Sequence, residues 1–279
     1  MELALWFILV IVIGAFICEY ADSTLGMGYG TTLTPELLLF GFSPMQIVPA
    51  VLLSELISGV LAGIFHHFEG DVNFKLKTTD VSKIKGMVNS HGFFHGLQQT
   101  LSFHMKIALL LATCSIIGTL IAVFVAVSIP KFWLKLYISV LVLSMGLLII
   151  IFFNKNFKFS PKKIFFLGLV ASFNKGMSGG GYGPVVTSGQ ILSGVKGKSA
   201  VGITSLAEGL TCLVGVIAYA LISKNAVDWS LEPYIVIGAV LSVPLSAKSV
   251  KLINTKKLEL AIAILTIALG TLTIVKTLV

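Results

Sequence analysis

Two glutamates that lie within apolar sequence, Glu55 and Glu208, are the side chains of this chain best suited to chemistry. If the helices that carry them begin near Pro44 and Gly197, each carboxylate lies roughly 16 Å along its helix. A charge at that depth in a bilayer costs about 2.5–3.5 kcal/mol unless it is protonated, paired or facing water. The pair is therefore suited to carrying a proton across a membrane. The alternative is that each is a protonated carboxyl that bonds an exposed backbone carbonyl.

The same spacing of 153 residues relates two glycine-rich segments, residues 26–30 (the first knot) and residues 179–183 (the second knot). Between 26–64 and 179–217, eleven of 39 positions are identical, and these include three glycines of each knot and the two glutamates. A duplicated membrane unit with glycine-broken helices at matching positions is typical of a transporter's substrate site.

A short segment follows each knot, at 31–40 and 184–193. Ten helical residues span roughly 15 Å, about half of the hydrocarbon thickness. Thr34-Pro35-Glu36 predicts the helix start in the first copy, because it supplies a capping hydroxyl, a proline and an acid in the order that helix N-termini favour. Gly183-Pro184 plays that part in the second copy, and Gly41 and Gly194 are the expected C-terminal stops.

The composition predicts an all-α integral membrane protein, because 56% of residues are apolar, only 11% are charged, and the mean hydropathy is +0.98. The formal charge of +8 comes from lysines in short loops, since the chain has no arginine, so the expected partner is a lipid bilayer and not nucleic acid. The eight expected membrane segments lie at about 3–25, 44–65, 107–129, 132–153, 163–182, 199–222, 233–247 and 258–279. The first is read as a membrane segment and not a cleavable signal, because no basic region precedes it.

The lysines distinguish two topologies. If each knot lies within one continuous crossing, the loop lysines divide eleven against eight between the two sides; if each knot is the tip of a re-entrant hairpin, they divide fifteen against four. The positive-inside rule favours the hairpins, with both termini outside the plasma membrane. The fold predicted is thus two inverted repeats, each a glycine-broken hairpin followed by three membrane helices, at residues 1–154 and 155–279.

The first repeat carries a hydrophilic insertion, for which we expect a cytoplasmic location at residues 69–106. The spacing of Val81, Ile84 and Val88 permits a short amphipathic helix there. His91 and His95 have the i, i+4 spacing of metal ligands, but no acid or cysteine completes a set with the other histidines, so we expect no metal. We expect neither an enzyme nor a cofactor, because motifs such as His-Glu-x-x-His, Gly-x-Ser-x-Gly and the P-loop are absent from the sequence.

Two strings resemble the hallmark repeats of the sulfite exporter TauE/SafE family: LGMGYGTTLTPELLLFG–SPMQIVPAVLLSE and GMSGGGYGPVVTSGQILSG–VKGKSAVGITSLAEGL. The second copy is close to the family pattern. The first departs from it at Met27 and Tyr29 and at residues 49–51, where the second has Gly-Ile-Thr. The resemblance implies an eight-segment permease that exports or exchanges sulfur-containing or small organic anions such as sulfite, thiosulfate or sulfonates.

The half-helices after the knots could form an anion site. If the two repeats pack face to face, the free N–H groups and positive dipole ends of both half-helix N-termini converge near the middle of the membrane. The glycines could instead serve only tight helix crossing. Lys175 could contact an anion, neutralise a glutamate or extend to the inner face, and Asp22 is either a partner or an interfacial residue. The expected substrate-binding residues are Gly28, Tyr29, Gly30, Thr31, Thr34, Lys175, Ser178, Gly180, Gly181, Tyr182, Gly183, Thr204 and Ser205, with Glu55 and Glu208 for proton coupling.

The favoured function is a proton-coupled secondary transporter that carries a small anion by alternating access. The first alternative is a cation/proton antiporter in which Glu55 and Glu208 ligate the cation. A membrane scaffold or receptor without transport is the second alternative, and it would not need symmetric broken helices.

Overall fold

The computed structural model describes residues 4–76, 85, 100–152, 161–192, 195–222, 227–250, 252 and 255–279. Within these residues all regular elements are helices, and six of them (α1, α3, α4, α5, α8 and α10) are long and apolar enough to cross a membrane. The prediction of an all-α membrane protein is confirmed. The helices are α1 Leu5–Leu25, α2 Tyr29–Leu39, α3 Pro44–Phe68, α4 Phe103–Ser128, α5 Lys131–Phe152, α6 Pro161–Ser178, α7 Gly183–Leu192, α8 Gly197–Ile222, α9 Glu232–Ser249 and α10 Thr255–Leu278.

Both knots interrupt the helices as predicted. α1 ends immediately before Gly26, which has φ of 69°, and α6 ends immediately before Gly179, which has φ of 72°. Gly28 and Gly181 also have positive φ, at 136° and 78°. Left-handed backbone of this kind is open to glycine at little cost, so the glycines are what allow each helix to stop and reverse inside apolar sequence.

The predicted start of α2 is wrong, whereas that of α7 at Gly183 is confirmed. α2 begins at Tyr29, and Pro35 lies inside the helix and not in its first turn. The Gly28 conformation and the Asp22 carboxylate, which accepts the Tyr29 N–H at 3.2 Å, start the helix earlier than the Thr-Pro-Glu pattern indicates. Gly41 follows the end of α2 with φ of 100°, as expected for a stop, and Gly194 lies outside the described residues.

The centre of the molecule is the packing of α3 against α8, the equivalent helices of the two repeats. A Cβ added at Gly59 would lie 2.9 Å from the Ser205 carbonyl oxygen, and one at Gly63 would lie 2.9 Å from the Leu206 Cβ. Towards the other end of the contact, a Cβ at Gly215 would lie 2.9 Å from the Leu52 side chain. Position numbers rise along one helix as they fall along the other, so α3 and α8 run antiparallel. Small residues allow this close approach.

The remaining packing repeats across the two halves. α1 packs on α9 and its equivalent α6 packs on α4, while α5 packs on α10. Each half therefore contributes its first helix to the other half's fourth helix. The two halves form one interlocked body, and the glycine knots lie at its centre.

Three hydrogen bonds join helix ends that lie on the same side of the membrane if each knot is the tip of a re-entrant hairpin. They are Gln46 Nε2 to Asp228 Oδ2 at 2.9 Å, Ser199 Oγ to Asp71 O at 2.8 Å and Lys276 Nζ to Leu39 O at 2.6 Å. If each knot lay within a continuous crossing, the partners of every one of these pairs would be about a bilayer apart. The contacts fit hairpins and do not fit continuous crossings.

The insertion is described at its two ends. Ser102 donates to the Asn73 carbonyl at 2.5 Å, and Leu76 and Leu101 form an isolated antiparallel bridge. The His104 ring accepts from the Asn73 N–H at 2.8 Å, so this histidine supports the chain path. The predicted amphipathic helix around Val81, Ile84 and Val88, and the histidines at 91 and 95, lie outside the described residues.

Candidate functional site

The two knots touch each other through their backbones. A Cβ at Gly30 would overlap the carbonyl oxygen of Gly179, and one at Gly183 would overlap the carbonyl oxygen of Gly26. A Cβ at Gly180 would come within 2.6 Å of the Gly30 carbonyl. In this conformation the missing side chains of the glycines in each knot allow the backbone of the other knot to approach closely, so the knots form a closed contact.

Hydroxyl groups connect the knots across this contact. The Gly181 N–H donates to Thr31 Oγ1 at 3.1 Å, and Thr187 Oγ1 donates to the Gly26 carbonyl at 2.6 Å. Thr187 also bonds Thr204 Oγ1 at 2.9 Å, and Gln190 Nε2 donates to the same Thr204 oxygen at 2.8 Å. A backbone polar group at each helix break is thus hydrogen-bonded to a side chain of the other half.

Lys175 joins the two predicted glutamates. Its ammonium is ion-paired with Glu55 Oε2 and with Glu208 Oε1, the latter at 2.9 Å, and all three side chains are at least 96% buried. The lysine lies in the last turn of α6, where its carbonyl accepts the N–H of Gly179. Of the roles considered for Lys175 from sequence, neutralising the glutamates is the one this conformation shows. Removing one partner from such a buried pair leaves an uncompensated charge, which is strongly unfavourable.

Two further buried acids surround this pair. Asp22 caps α2 through the Tyr29 N–H, and its carboxylate lies with those of Glu55 and Glu208 so that one oxygen of each falls within 4.8 Å of the others. Glu19 accepts from Ser23 Oγ at 2.6 Å and from Ser58 Oγ at 2.8 Å. Four buried carboxyl groups therefore share one ammonium in this part of the structure. Protons or a bound cation are needed to balance them.

Several polar atoms of the site have no hydrogen-bond partner among the described residues. They are Glu55 Oε1, Glu208 Oε2, Thr34 Oγ1, the Tyr182 hydroxyl and Gln190 Oε1. A proton on either carboxyl group would turn one of its oxygens into a hydrogen-bond donor and remove one negative charge from the site. The three carboxylates have the donor chemistry of a cation site, which the Lys175 ammonium fills in this conformation.

Other predicted site residues lie at the knots or contact neighbouring helices. Gly28 caps α2, Tyr29 bonds Ser54 Oγ through its hydroxyl at 2.6 Å, and Ser178 accepts the Gly180 N–H at 3.0 Å. Tyr182, the repeat equivalent of Tyr29, is fully buried. The Ser205 hydroxyl donates to the Val201 carbonyl of its own helix.

Sequence reasoning missed Glu19, Thr187 and Gln190, and it left Asp22 undecided. One signal was available for Asp22: the spacing of 153 residues that relates the knots also pairs Asp22 with Lys175. Thr187 pairs with the predicted Thr34 in the same way. Glu19 pairs with Ser172, which gives no such signal.

Comparison with known proteins adds the family. Residues 86–273, about two thirds of the chain, match the sulfite exporter TauE/SafE family. The chain is also 27% identical over 242 residues to the probable membrane transporter protein YtnM of Bacillus subtilis (strain 168), in an alignment that covers 82% of this chain and 70% of that protein. No solved structure matches. The chain belongs to the sulfite exporter TauE/SafE family and is a multi-pass membrane transporter of that type.

Proposed function

We propose that this protein is a proton-coupled secondary transporter that carries a small anion by alternating access at the contact of the two knots. The observation that carries the proposal is the position of Lys175, whose buried ammonium is held between Glu55 and Glu208 immediately before the second knot. A cation at a helix break can receive an anion, and its carboxylate partners can receive protons.

Coupling follows from charge balance at this place. While both glutamates are ionised, they occupy the ammonium and repel any anion that approaches. Protonating them releases the lysine, so that protons prepare the site for the substrate. In this account Glu55 and Glu208 are the coupling acids, as proposed from the sequence.

The substrate class proposed is a small sulfur-containing anion, such as sulfite, thiosulfate or a sulfonate, or a small organic anion. The family name supports the sulfur oxyanion. The chain has no arginine for a bidentate clamp, so recognition must use lysine, hydroxyls and backbone N–H groups, which the knots supply.

Alternating access is supported by the antiparallel packing of α3 and α8, which fits two inverted repeats at residues 1–154 and 155–279. The lysine distribution supports the proposed orientation, with both termini outside the plasma membrane and residues 69–106 in the cytoplasm. Cysteine labelling tests the orientation. Lys85→Cys and Lys256→Cys should react with an impermeant thiol reagent only after the cells are opened. Labelling of only one of the two sites in intact cells would reject the hairpin topology, because continuous crossings place residues 85 and 256 on opposite sides. Labelling of both in intact cells would reject the proposed orientation.

A cation/proton antiporter is the second candidate, and one observation favours it. The carboxylates of Asp22, Glu55 and Glu208 converge within 4.8 Å, while the adjacent cation is a single lysine. In that function a transported cation would displace the Lys175 ammonium and bind the three carboxylates directly.

A proteoliposome flux panel separates the two candidates. The purified full-length chain is reconstituted, a pH gradient is imposed, and uptake is measured for sulfite, thiosulfate, methanesulfonate, acetate and divalent cations. Accumulation of at least one anion, without cation movement, is expected. Cation flux without anion flux would overturn the anion proposal in favour of the antiporter, and no flux of either kind would overturn both.

A further inference from the structure

The two halves differ at one position of the knot where the difference bears on ligand binding. In the first half, Asp22 supplies a carboxylate that accepts the Tyr29 N–H at the start of α2. The equivalent residue in the second half is Lys175, which lies seven residues before Tyr182, as Asp22 lies seven residues before Tyr29. The first half-helix therefore carries a built-in anion at its positive end, and the second half-helix carries a cation there.

A second difference concerns a matched pair of threonines, both fully buried. Thr187 donates its hydroxyl to the Gly26 carbonyl of the first knot at 2.6 Å. Thr34 occupies the equivalent place opposite the second knot, with its Oγ1 3.2 Å from the Cβ position of Gly179, yet it has no partner among the described residues. A buried hydroxyl without a partner costs about 1–3 kcal/mol, so a ligand that accepts from it would recover this energy.

From these two differences we infer that the protein has a single anion-binding position, at the second knot, where the anion accepts from Lys175 Nζ, Thr34 Oγ1 and the backbone N–H of Tyr182. The inference rests on the proposed function and deepens it. The first half shows how such an anion would bind. There the Asp22 carboxylate accepts the Tyr29 N–H, and in the second half the bound anion would accept the equivalent Tyr182 N–H in the same way. The knots must separate from their closed contact for the anion to enter.

The position selects the class of anion. A lysine ammonium, a hydroxyl and one backbone N–H offer donors from three separate groups, which equals the number of oxygens on a sulfonate or sulfite head. A planar carboxylate has two oxygens and leaves one donor group without its own acceptor atom. The position should therefore prefer a sulfonate to a carboxylate of similar size.

The direction of coupling also follows. Lys175 is engaged by Glu55 and Glu208 in the described conformation, so anion binding must break that pairing. A released carboxylate in this buried place takes up a proton to avoid an uncompensated charge. The anion and at least one proton therefore bind together and move in the same direction, as in a symporter.

Thr34 provides the first test, using methanesulfonate as the probe and the detergent-solubilised full chain. Thr34→Val is expected to raise the methanesulfonate Kd about tenfold, the cost of one lost hydrogen bond to a charged partner. Its melting temperature should not fall, because the hydroxyl has no partner to lose. The control, Thr273→Val, removes another buried threonine hydroxyl, which lies in α10 outside the knots and donates to the Leu269 carbonyl of its own helix, and it should leave Kd within about twofold. An unchanged Kd in Thr34→Val, or an equal loss of affinity in both variants, would overturn the single-site inference.

The pH dependence of binding provides the second test. The charge of methanesulfonate does not change between pH 5.5 and pH 7.5, so any pH dependence belongs to the protein. Uptake of one proton with the anion predicts that Kd rises about tenfold for each pH unit. Glu208→Gln should bind methanesulfonate with a much smaller slope. A wild-type slope of zero, or tighter binding at higher pH, would overturn symport. Anion flux in the panel above would survive either failure, so the two proposals fail separately.

Discussion

The two glycine knots are alike in backbone and opposite in charge. Both stop a long helix with left-handed glycines and begin a helix of ten or eleven residues. At equivalent positions, however, one carries Asp22 and the other carries Lys175. In the proposed mechanism the shared backbone lets the two halves exchange roles, and the charge difference provides one place where an anion and protons interact. The repeated sequence thus accounts for the common geometry of the knots, and the Asp22/Lys175 difference accounts for their different chemistry.

A smaller contrast lies at the ends of α3 and α8. The His66 ring bonds the Ser23 carbonyl at 2.8 Å and the Asp71 carboxylate at 3.0 Å. At the equivalent position of the second half, the Tyr219 hydroxyl donates to the Gly176 carbonyl at 2.8 Å. Both residues tie the third helix of their half to the last turns of its first helix. Only the first half does so with an ionisable pair, next to the insertion.

The largest effect should come from removing the cation of the second knot. Lys175→Met leaves Glu55 and Glu208 without their counter-charge, so we expect transport to be abolished and the free energy of unfolding to fall by about 3–5 kcal/mol. Adding Glu208→Gln to this variant should restore part of the stability but not transport. Flux and melting temperature measure both, and Lys198→Met, at an exposed position, is the control. Wild-type transport in Lys175→Met would refute the assigned role.

The next effect concerns the contact between the knots. Gly30→Ala places a methyl group on the Gly179 carbonyl oxygen, so the halves must separate. We expect a loss of about 1–3 kcal/mol in stability, typical of overpacking, together with reduced transport. Gly197→Ala is the control, because no atom lies within 4 Å of the added Cβ. Equal melting temperatures for the two variants would contradict the closed contact.

The smallest effect should come from removing the hydrogen bonds that His66 and Tyr219 make to the first helix of their half. Tyr219→Phe removes one neutral hydrogen bond, which is worth about 1 kcal/mol. His66→Phe removes a bond to a carbonyl and leaves the buried Asp71 carboxylate without its partner, so it should cost about 1.5–3 kcal/mol. Chemical denaturation in detergent measures both. A larger loss for Tyr219→Phe would show that the ionisable tie is not the stronger one.

Helix positions and breaks were predictable from the sequence because they depend on local composition. Apolar length predicted the long helices, and the glycine pattern predicted both breaks. The start of α2 was not predictable in this way, because a carboxylate seven residues upstream caps Tyr29 and overrides the local Thr-Pro-Glu signal. The pairing of Lys175 with Glu55 joins residues 120 positions apart, and no periodicity encodes such a contact. The duplication did indicate that the two glutamates occupy equivalent positions of the two halves.

The most direct test of the central claim, proton coupling through the buried glutamates, is pH-driven anion accumulation in proteoliposomes containing Glu55→Gln or Glu208→Gln. Glutamine keeps the volume and most hydrogen-bonding capacity of the side chain but does not titrate. The account predicts that at least one variant loses accumulation driven by a pH gradient while it retains anion exchange in the absence of a gradient. Wild-type accumulation and wild-type pH dependence in both variants would contradict it.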